Sequence, residues 1–269
     1  MTSMAATIDR RTAPLLSSWL IVARRALLRF VRWPQLIVVG TVQMALFMLI
    51  YRYIFGGAID TGSIPYVDFL IPGFVTTGVL FTGIGTAVAM AQDLEEGFVD
   101  RLRSLPIPRG AVLAGRAVAD TTLLLWSLAV TSAVGFAVGF RLHGSLGGAL
   151  AAVGLLLVFG FAFEWMFITL GLVAGTPQAA QGLALMVFPL TFVSSAYVPV
   201  ESMPGWMQAF AEHQPLTVMV DAVRVLTQGQ AAEAMLGHGA GFYVVRALAW
   251  SAAILAVFVP LAVARYRRC

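Results

Sequence analysis

The sequence predicts an all-α membrane protein with six transmembrane helices, and three observations predict it. Hydrophobic residues make up 59% of the 269 residues and charged residues only 11%, whereas a soluble domain carries about 25% charge. The apolar residues gather in runs of about 20, the length of helix that crosses the hydrocarbon of a bilayer. The arginines lie mostly outside those runs and are shared unequally between the segments that join them.

Taken in order, residues 1–14 are mostly polar and read as a disordered tail. Residues 15–33 are amphipathic. On a helical wheel Leu16, Leu20, Ala23, Leu27, Phe30 and Val31 share one arc, with Arg25, Arg29 and Arg32 opposite. This pattern fits a helix lying in the membrane interface, with Trp19 and Trp33 at the same depth; a helix packed on a soluble partner carries the same signature. The first span is expected over 35–55, with Pro34 at its start. The second covers 69–91 and interleaves Gly73, Gly78, Gly83 and Gly85 with Thr76, Thr77, Thr82 and Thr86, small residues that let helices approach closely. A charged loop with two prolines follows over 92–116. The third span covers 117–140 and the fourth 147–173. The fifth covers 179–198 with a kink at Pro189, and the sixth covers 242–264. Between the last two, residues 199–241 are mixed and carry Pro199, Pro204 and Pro215.

Arginine asymmetry sets the expected orientation, since basic residues accumulate on the cytoplasmic side. With both termini cytoplasmic, the inner segments hold Arg10, Arg11, Arg24, Arg25, Arg29, Arg32, Arg101, Arg103, Arg109, Arg116, Arg265, Arg267 and Arg268. The outer segments hold Arg52, Arg141, Arg224 and Arg246.

Several chemistries are excluded. All 17 basic residues are arginine, so the lysine of a phosphate-binding P-loop and any lysine Schiff base are missing. The arginines flank apolar runs, which points to topology and not to nucleic acid. The lone Cys269 allows no intrachain disulfide or cysteine metal cluster. His143, His213 and His238 are too scattered to make a zinc site, which needs several converging ligands. A membrane-embedded hydrolase or transferase would need clustered acid, base and nucleophile at one depth.

Two places carry functional signals of their own. Over 92–105, Leu94, Phe98 and Leu102 recur at helical spacing, while Asp93, Glu96, Asp100 and Arg103 lie elsewhere on the helix. Asp100 and Arg103 are spaced to pair, and Pro106 and Pro108 stop the helix. Such a short amphipathic helix can dock in a groove of a soluble partner or lie as a solvated loop on the membrane. Glu164 lies near the middle of the fourth span, where a carboxylate is costly and marks function by default. It could grip a cationic substrate, relay a proton, or serve as a protonated or hydrogen-bonded packing residue. Over 199–241, Trp206, Phe210 and the methionines fit an interfacial belt or an outer gate.

The run Asp93-Leu94-Glu95-Glu96-Gly97-Phe98-Val99-Asp100-Arg101-Leu102-Arg103-Ser104-Leu105-Pro106 resembles the cytoplasmic-loop motif of ABC-2-type permeases, closest to the drug-exporting branch typified by the daunorubicin-resistance permeases. Gly115-Arg116-Ala117-Val118-Ala119-Asp120 continues the match. A second stretch joins Pro204-Gly205-Trp206, Gln214-Pro215-Leu216-Thr217 and Asp221-Ala222-Val223-Arg224, with Gln214 standing where many relatives have asparagine. The resemblance covers residues 15–265. It implies a single permease domain over 1–269, in which 92–105 is a coupling helix that receives motion from an ATPase through Leu94, Glu95, Glu96, Phe98, Asp100, Arg101, Leu102 and Arg103. It implies short re-entrant outer helices over 199–241, with Trp206, Pro215 and Arg224 at an outer gate, and Glu164 on the substrate path or pairing helices. The chain itself would bind no cofactor; ATP and magnesium would sit on two copies of a partner ATPase. A second permease subunit, expected to be an identical copy, would meet this one through spans two and five. The implied setting is the bacterial cytoplasmic membrane, and the implied cargo is an amphipathic or hydrophobic drug or lipid-like molecule moved outward. The rival classes are an ion-driven carrier, which commonly shows internal repeats and several midplane ionisable groups, and a non-transporting scaffold.

Overall fold

Caps and prolines decide where the helices begin and end. In the computed structural model, residues 34–62, 64–97 and 109–268 are described. The disordered tail and the interfacial helix expected over 15–33 lie outside the described residues. Helix α1 (Pro34–Ile50) starts at its proline and runs on into a π-helical turn, Tyr51–Phe55. Helix α2 (Tyr66–Glu95) follows, then α3 (Arg109–Val138) and α4 (Leu146–Ala174). The hydroxyl of Ser145 accepts from the Gly148 amide at 2.9 Å to cap α4 at its start, and Gly175, in the left-handed conformation at φ 74°, closes it. The last long helix, labelled α10 below, is Ala240–Arg268. Four helices among the described residues are long and apolar enough to cross a membrane: α2, α4, α10 and the 120–138 part of α3. At 1.5 Å per residue, a 30-residue helix extends about 45 Å, well beyond a hydrocarbon core of about 30 Å.

The second and third spans are longer than the sequence pattern suggested. The loop expected over 92–116 shrinks, because α2 continues to Glu95 and α3 already begins at Arg109. Two of the charges that read as loop, Asp93 and Arg116, pair across the two helices, as described below.

The fifth span differs more. In place of one kinked helix over 179–198 there are two short ones, α5 (Pro177–Leu185) and α6 (Phe188–Phe192), separated by a turn at Met186 and Val187. A proline ring collides with the carbonyl four residues earlier. For Pro189 that is Leu185, where α5 stops. The Gln214 side-chain amide donates to the carbonyls of Leu190 (3.2 Å) and Val193 at the end of α6.

The 199–241 region folds as a 3-10 turn (Val200–Ser202), α7 (Gly205–Ala211), α8 (Pro215–Gln228) and α9 (Gln230–Leu236). Helix α8 is buried along nearly its whole length, packed on α2, α4 and α10 near the ends that carry Tyr66, Leu146 and Ala240. Its final carbonyls are not left open: the amides of His143 and Gly144 donate to the Thr227 carbonyl at 3.1 and 2.9 Å.

Helix α4 lies at the centre, against α10 and α2. Direct backbone approach makes this packing tight. A Cβ at Gly171 would stand 2.5 Å from the Ala87 carbonyl oxygen of α2. At Gly73 on α2, a Cβ would fall 1.9 Å from the Ala196 carbonyl oxygen, so only glycine lets the 193–199 loop lie on that helix. The apolar core runs through Phe69, Phe74, Leu124, Phe159 and Phe167, and a smaller cluster of Met90, Trp165, Ile168 and Tyr266 closes the opposite end.

Candidate functional sites at the two ends of the bundle

At the end carrying Glu95, Arg109 and Arg268, the sequence expected a coupling helix over 92–105. Of its residues, Leu94, Glu95 and Glu96 are described, whereas Phe98, Asp100, Arg101, Leu102 and Arg103 lie outside the described residues. Leu94 is part of α2 and packs against the Met90–Trp165 cluster. Glu95 and Glu96 are exposed, and the Gln92 side chain donates to Glu96 at 2.8 Å. Gly97 then takes φ 65°, the left-handed value that ends helices. Leu94 therefore belongs to the second span, whose helix ends before Gly97.

Behind this surface lies a charged ladder that sequence spacing suggested only in part. Arg116 on α3 pairs with Asp93 on α2, and its Nε lies 3.5 Å from Asp120 Oδ2 one turn further in. The Arg116–Asp120 pair follows from its i,i+4 spacing. The Asp93–Arg116 pair joins residues far apart in the chain, and only the packing of α2 on α3 brings them together. Asp120 also accepts a hydrogen bond from Thr86 on α2 at 3.2 Å. Glu164 on α4 is only 2% exposed, and its Oε2 has no hydrogen-bond partner among the described residues. One turn before it on α4, a Cβ on Gly160 would meet Leu124, one turn after Asp120 on the antiparallel α3, and Val79 of α2, so Glu164 lies at the level of Asp120. The solitary acid of the sequence is thus the innermost member of a cluster drawn from three helices.

At the other end, Arg224 is fully buried. Its Nη1 donates to Asp221 Oδ1 at 2.7 Å, and its Nη2 donates to the carbonyls of Ser195 at 2.7 Å and Phe69 at 3.1 Å. The guanidinium also lies over the Phe69 ring, 3.8 Å from the centroid. Ser195 Oγ donates to the same Asp221 oxygen at 2.7 Å, and Thr217 Oγ1 accepts from the Ser195 amide at 3.2 Å. One arginine thus ties α8, the 193–199 loop and the start of α2 together.

Beside this latch, Tyr197 stacks on Tyr51 with centroids 4.8 Å apart and donates to Thr77 at 3.1 Å. Asp68, His143 and Gln228 form a neighbouring polar contact, with His143 Nδ1 2.8 Å from Gln228 Oε1. The structure does not gather the three expected gate residues. Pro215 begins α8, whereas Trp206, 78% exposed, stands on the surface of α7. Asp221 and Ser195 were missed as partners of Arg224. The Asp221-x-x-Arg224 spacing carried a signal for the first, and nothing local signals the second. Among the described residues no group of His, Cys, Asp and Glu could hold a metal ion.

Comparison with known proteins adds an independent observation. The family model described as ABC-2 type transporter matches residues 17–227. The chain is 35% identical over 245 residues to the daunorubicin resistance ABC transporter permease protein DrrB1 of Streptomyces coeruleorubidus, covering 90% of this chain and 83% of that one. It is 28% identical over 257 residues to the probable doxorubicin resistance ABC transporter permease protein DrrC of Mycobacterium tuberculosis, covering 93% and 88%. A shorter match, 26% over 168 residues, links it to the probable multidrug ABC transporter permease YbhR of Escherichia coli, covering 60% and 44%.

Proposed function

The chain belongs to the ABC-2 type transporter family, and from that premise we propose that it is the transmembrane subunit of an exporter that moves an amphipathic or hydrophobic drug or lipid-like molecule outward. It is an integral membrane permease without enzymatic activity of its own, and ATP is hydrolysed by a separate subunit. The observation that carries the cargo class is the 35% identity, over nearly the whole chain, to a permease named for daunorubicin resistance. In this reading six spans, both termini on the cytoplasmic side, and two copies of the chain make the path. Two ATPase subunits, holding ATP and magnesium, complete the exporter in the bacterial cytoplasmic membrane.

The geometry suggests how force would pass through the subunit. The 96–108 segment joins α2 to α3, and the Asp93–Arg116 pair ties the two helices where that segment leaves them. Helix α2 runs from there, through Pro72, to Phe69, whose carbonyl is held by Arg224. ATP binding would draw the ATPases together and push the segment carrying Phe98. Helix α2 would then shift as a body and load the Arg224 latch at its far end, biasing an equilibrium between inward-open and outward-open states. A carboxylate-bridged arginine suits this role, because breaking one arrangement demands another of equal quality.

Affinity purification of a tagged chain from its native membrane in mild detergent tests the proposal. A stoichiometric ATP-hydrolysing partner is expected, and Phe98→Asp should lose substrate-stimulated hydrolysis while staying in the membrane. Repeated preparations with no ATPase would overturn the exporter reading, and normal export by the Phe98 variant would overturn the coupling assignment.

A further inference from the structure

The buried cluster of Thr86, Asp120 and Glu164 is not needed for the force path just described. These residues sit about three turns, or ~15 Å, in from the helix ends at Glu95, Arg109 and Ala174. Helices α2, α3 and α4 contribute one each.

Charge balance among the groups facing Glu164 is uneven. Helix α2 presents Thr86 and, further out, Asp93, while α3 presents Asp120 and Arg116. Helix α10 brings Tyr266 to the Trp165 side of α4. Helix α5 carries no ionisable residue, and the Asp221–Arg224 pair of α8 lies at the other end of the bundle. Arg116 is thus shared between Asp93 and Asp120, and Arg265, beside Tyr266 on α10, is exposed. A second ionised carboxylate beside Asp120 would stand buried without a cation and with one oxygen unbonded, a state that proteins avoid by taking up a proton.

We infer that Thr86, Asp120 and Glu164 form a binding site for one exchangeable proton, held on Glu164 and reached from the end of the bundle closed by the Arg116–Asp93 pair. The enclosure selects the ligand. Glu164 is 2% exposed, which admits a proton and leaves no room for a drug-sized amine. A dehydrated sodium or calcium ion would need about six oxygens or more, and two carboxyls with one hydroxyl fall short. With the proton bound, the three helices pack around a neutral acid and the Thr86–Asp120 hydrogen bond. With the proton lost, two carboxylates face each other in an apolar core and push α4 from α2 and α3. The proton exchanges with water admitted where Arg116 and Asp93 part, and no other co-reactant is required. The site thereby links proton occupancy to the packing of three helices.

Infrared spectroscopy of the full chain in lipid tests this without any ATPase. The wild type should show a buried carboxylic-acid C=O band that shifts in heavy water and is lost reversibly as pH rises. Glu164→Gln, which mimics the neutral acid, should remove that band and keep the fold. Asp120→Asn should keep the band and change the pH at which it disappears. An absent band, a band that survives E164Q, or one that never titrates while the chain stays folded would each overturn the site. Should E164Q fail to assemble, D120N decides: titration identical to the wild type would overturn it.

Discussion

Removing the Arg224 side chain while keeping its bulk should be the most damaging single change at the latch. Arg224→Met preserves an unbranched chain of similar reach but withdraws every donor. The two Phe69 contacts, at 3.1 and 3.3 Å, go to a backbone carbonyl within α2 that stays engaged in the helix ladder, so little is lost there. Asp221 loses a 2.7 Å charge-assisted bond, and the Ser195 carbonyl loses its 2.7 Å donor. Asp221 is itself buried and, among the described residues, keeps the Ser195 Oγ bond. Breaking a buried pair by removing one partner costs about 3–5 kcal/mol, and the orphaned Ser195 carbonyl adds about 1–3 kcal/mol as an unsatisfied buried group. The assay is thermal or denaturant unfolding of the purified chain in one fixed detergent, with Asp221→Asn and the double variant completing a cycle. The double variant should recover much of the loss, giving a coupling energy of about 2 kcal/mol or more for contacting buried groups. A loss under about 1 kcal/mol for Arg224→Met, the size seen for exposed pairs, would refute the latch.

Other expectations rest on smaller contacts. Tyr197→Phe removes the hydroxyl that donates to Thr77 at 3.1 Å and leaves the stack on Tyr51, so about 1 kcal/mol should be lost in the same unfolding assay. Ser145→Ala removes the cap on α4 and should cost about 0.5–2 kcal/mol, with Ser145→Asp retaining stability. Exchanging the pair as Asp93→Arg with Arg116→Asp should recover part of the stability lost by either single change. The recovery is incomplete, because Asp120 then faces a carboxylate at position 116.

The long spans were legible because length and apolar composition suffice to specify a transmembrane helix. Their ends were not, for one reason in two places. Asp93 and Arg116 looked like loop residues because charge at a span's end reads as solvent exposure. In the fold they neutralise one another across α2 and α3, so both helices continue through them. Arg224 was counted as an outer-loop charge for the same reason, and it is among the most deeply buried side chains described. A partner separated by more than a hundred residues, such as the Phe69 carbonyl, leaves no periodic trace in a single sequence. Pro189 was legible as a disturbance, but the position of the break followed from the carbonyl it displaces at Leu185. Glu164 stood out as an acid at depth, while Thr86 and Asp120 gain meaning only when three helices meet.

The glycines separate packing from flexibility most sharply, and α4 contains its own control. Gly154 and Gly171 are both interior to that helix, so either change to alanine removes the same backbone entropy and should gain about 0.5–1 kcal/mol from propensity alone. Their surroundings differ. A Cβ on Gly154 meets nothing within 4 Å, whereas one on Gly171 would lie 2.5 Å from the Ala87 carbonyl oxygen and 2.8 Å from Met90 Cβ. Neither neighbour can rotate away, because one is backbone and the other is bonded directly to it. Gly171→Ala must therefore push α4 off α2, and overpacking of this kind costs about 1–3 kcal/mol, which outweighs the propensity gain. Gly154→Ala should be neutral or mildly stabilising, and Gly171→Ala destabilising, in the same detergent. Gly83→Ala should also destabilise, since its Cβ would lie 2.0 Å from the ring of Phe167, which is fully buried in the core. Equal effects at 154 and 171 would mean that α2 and α4 are not in backbone contact at this end. The route proposed for force through α2 would then lose the surface it slides on.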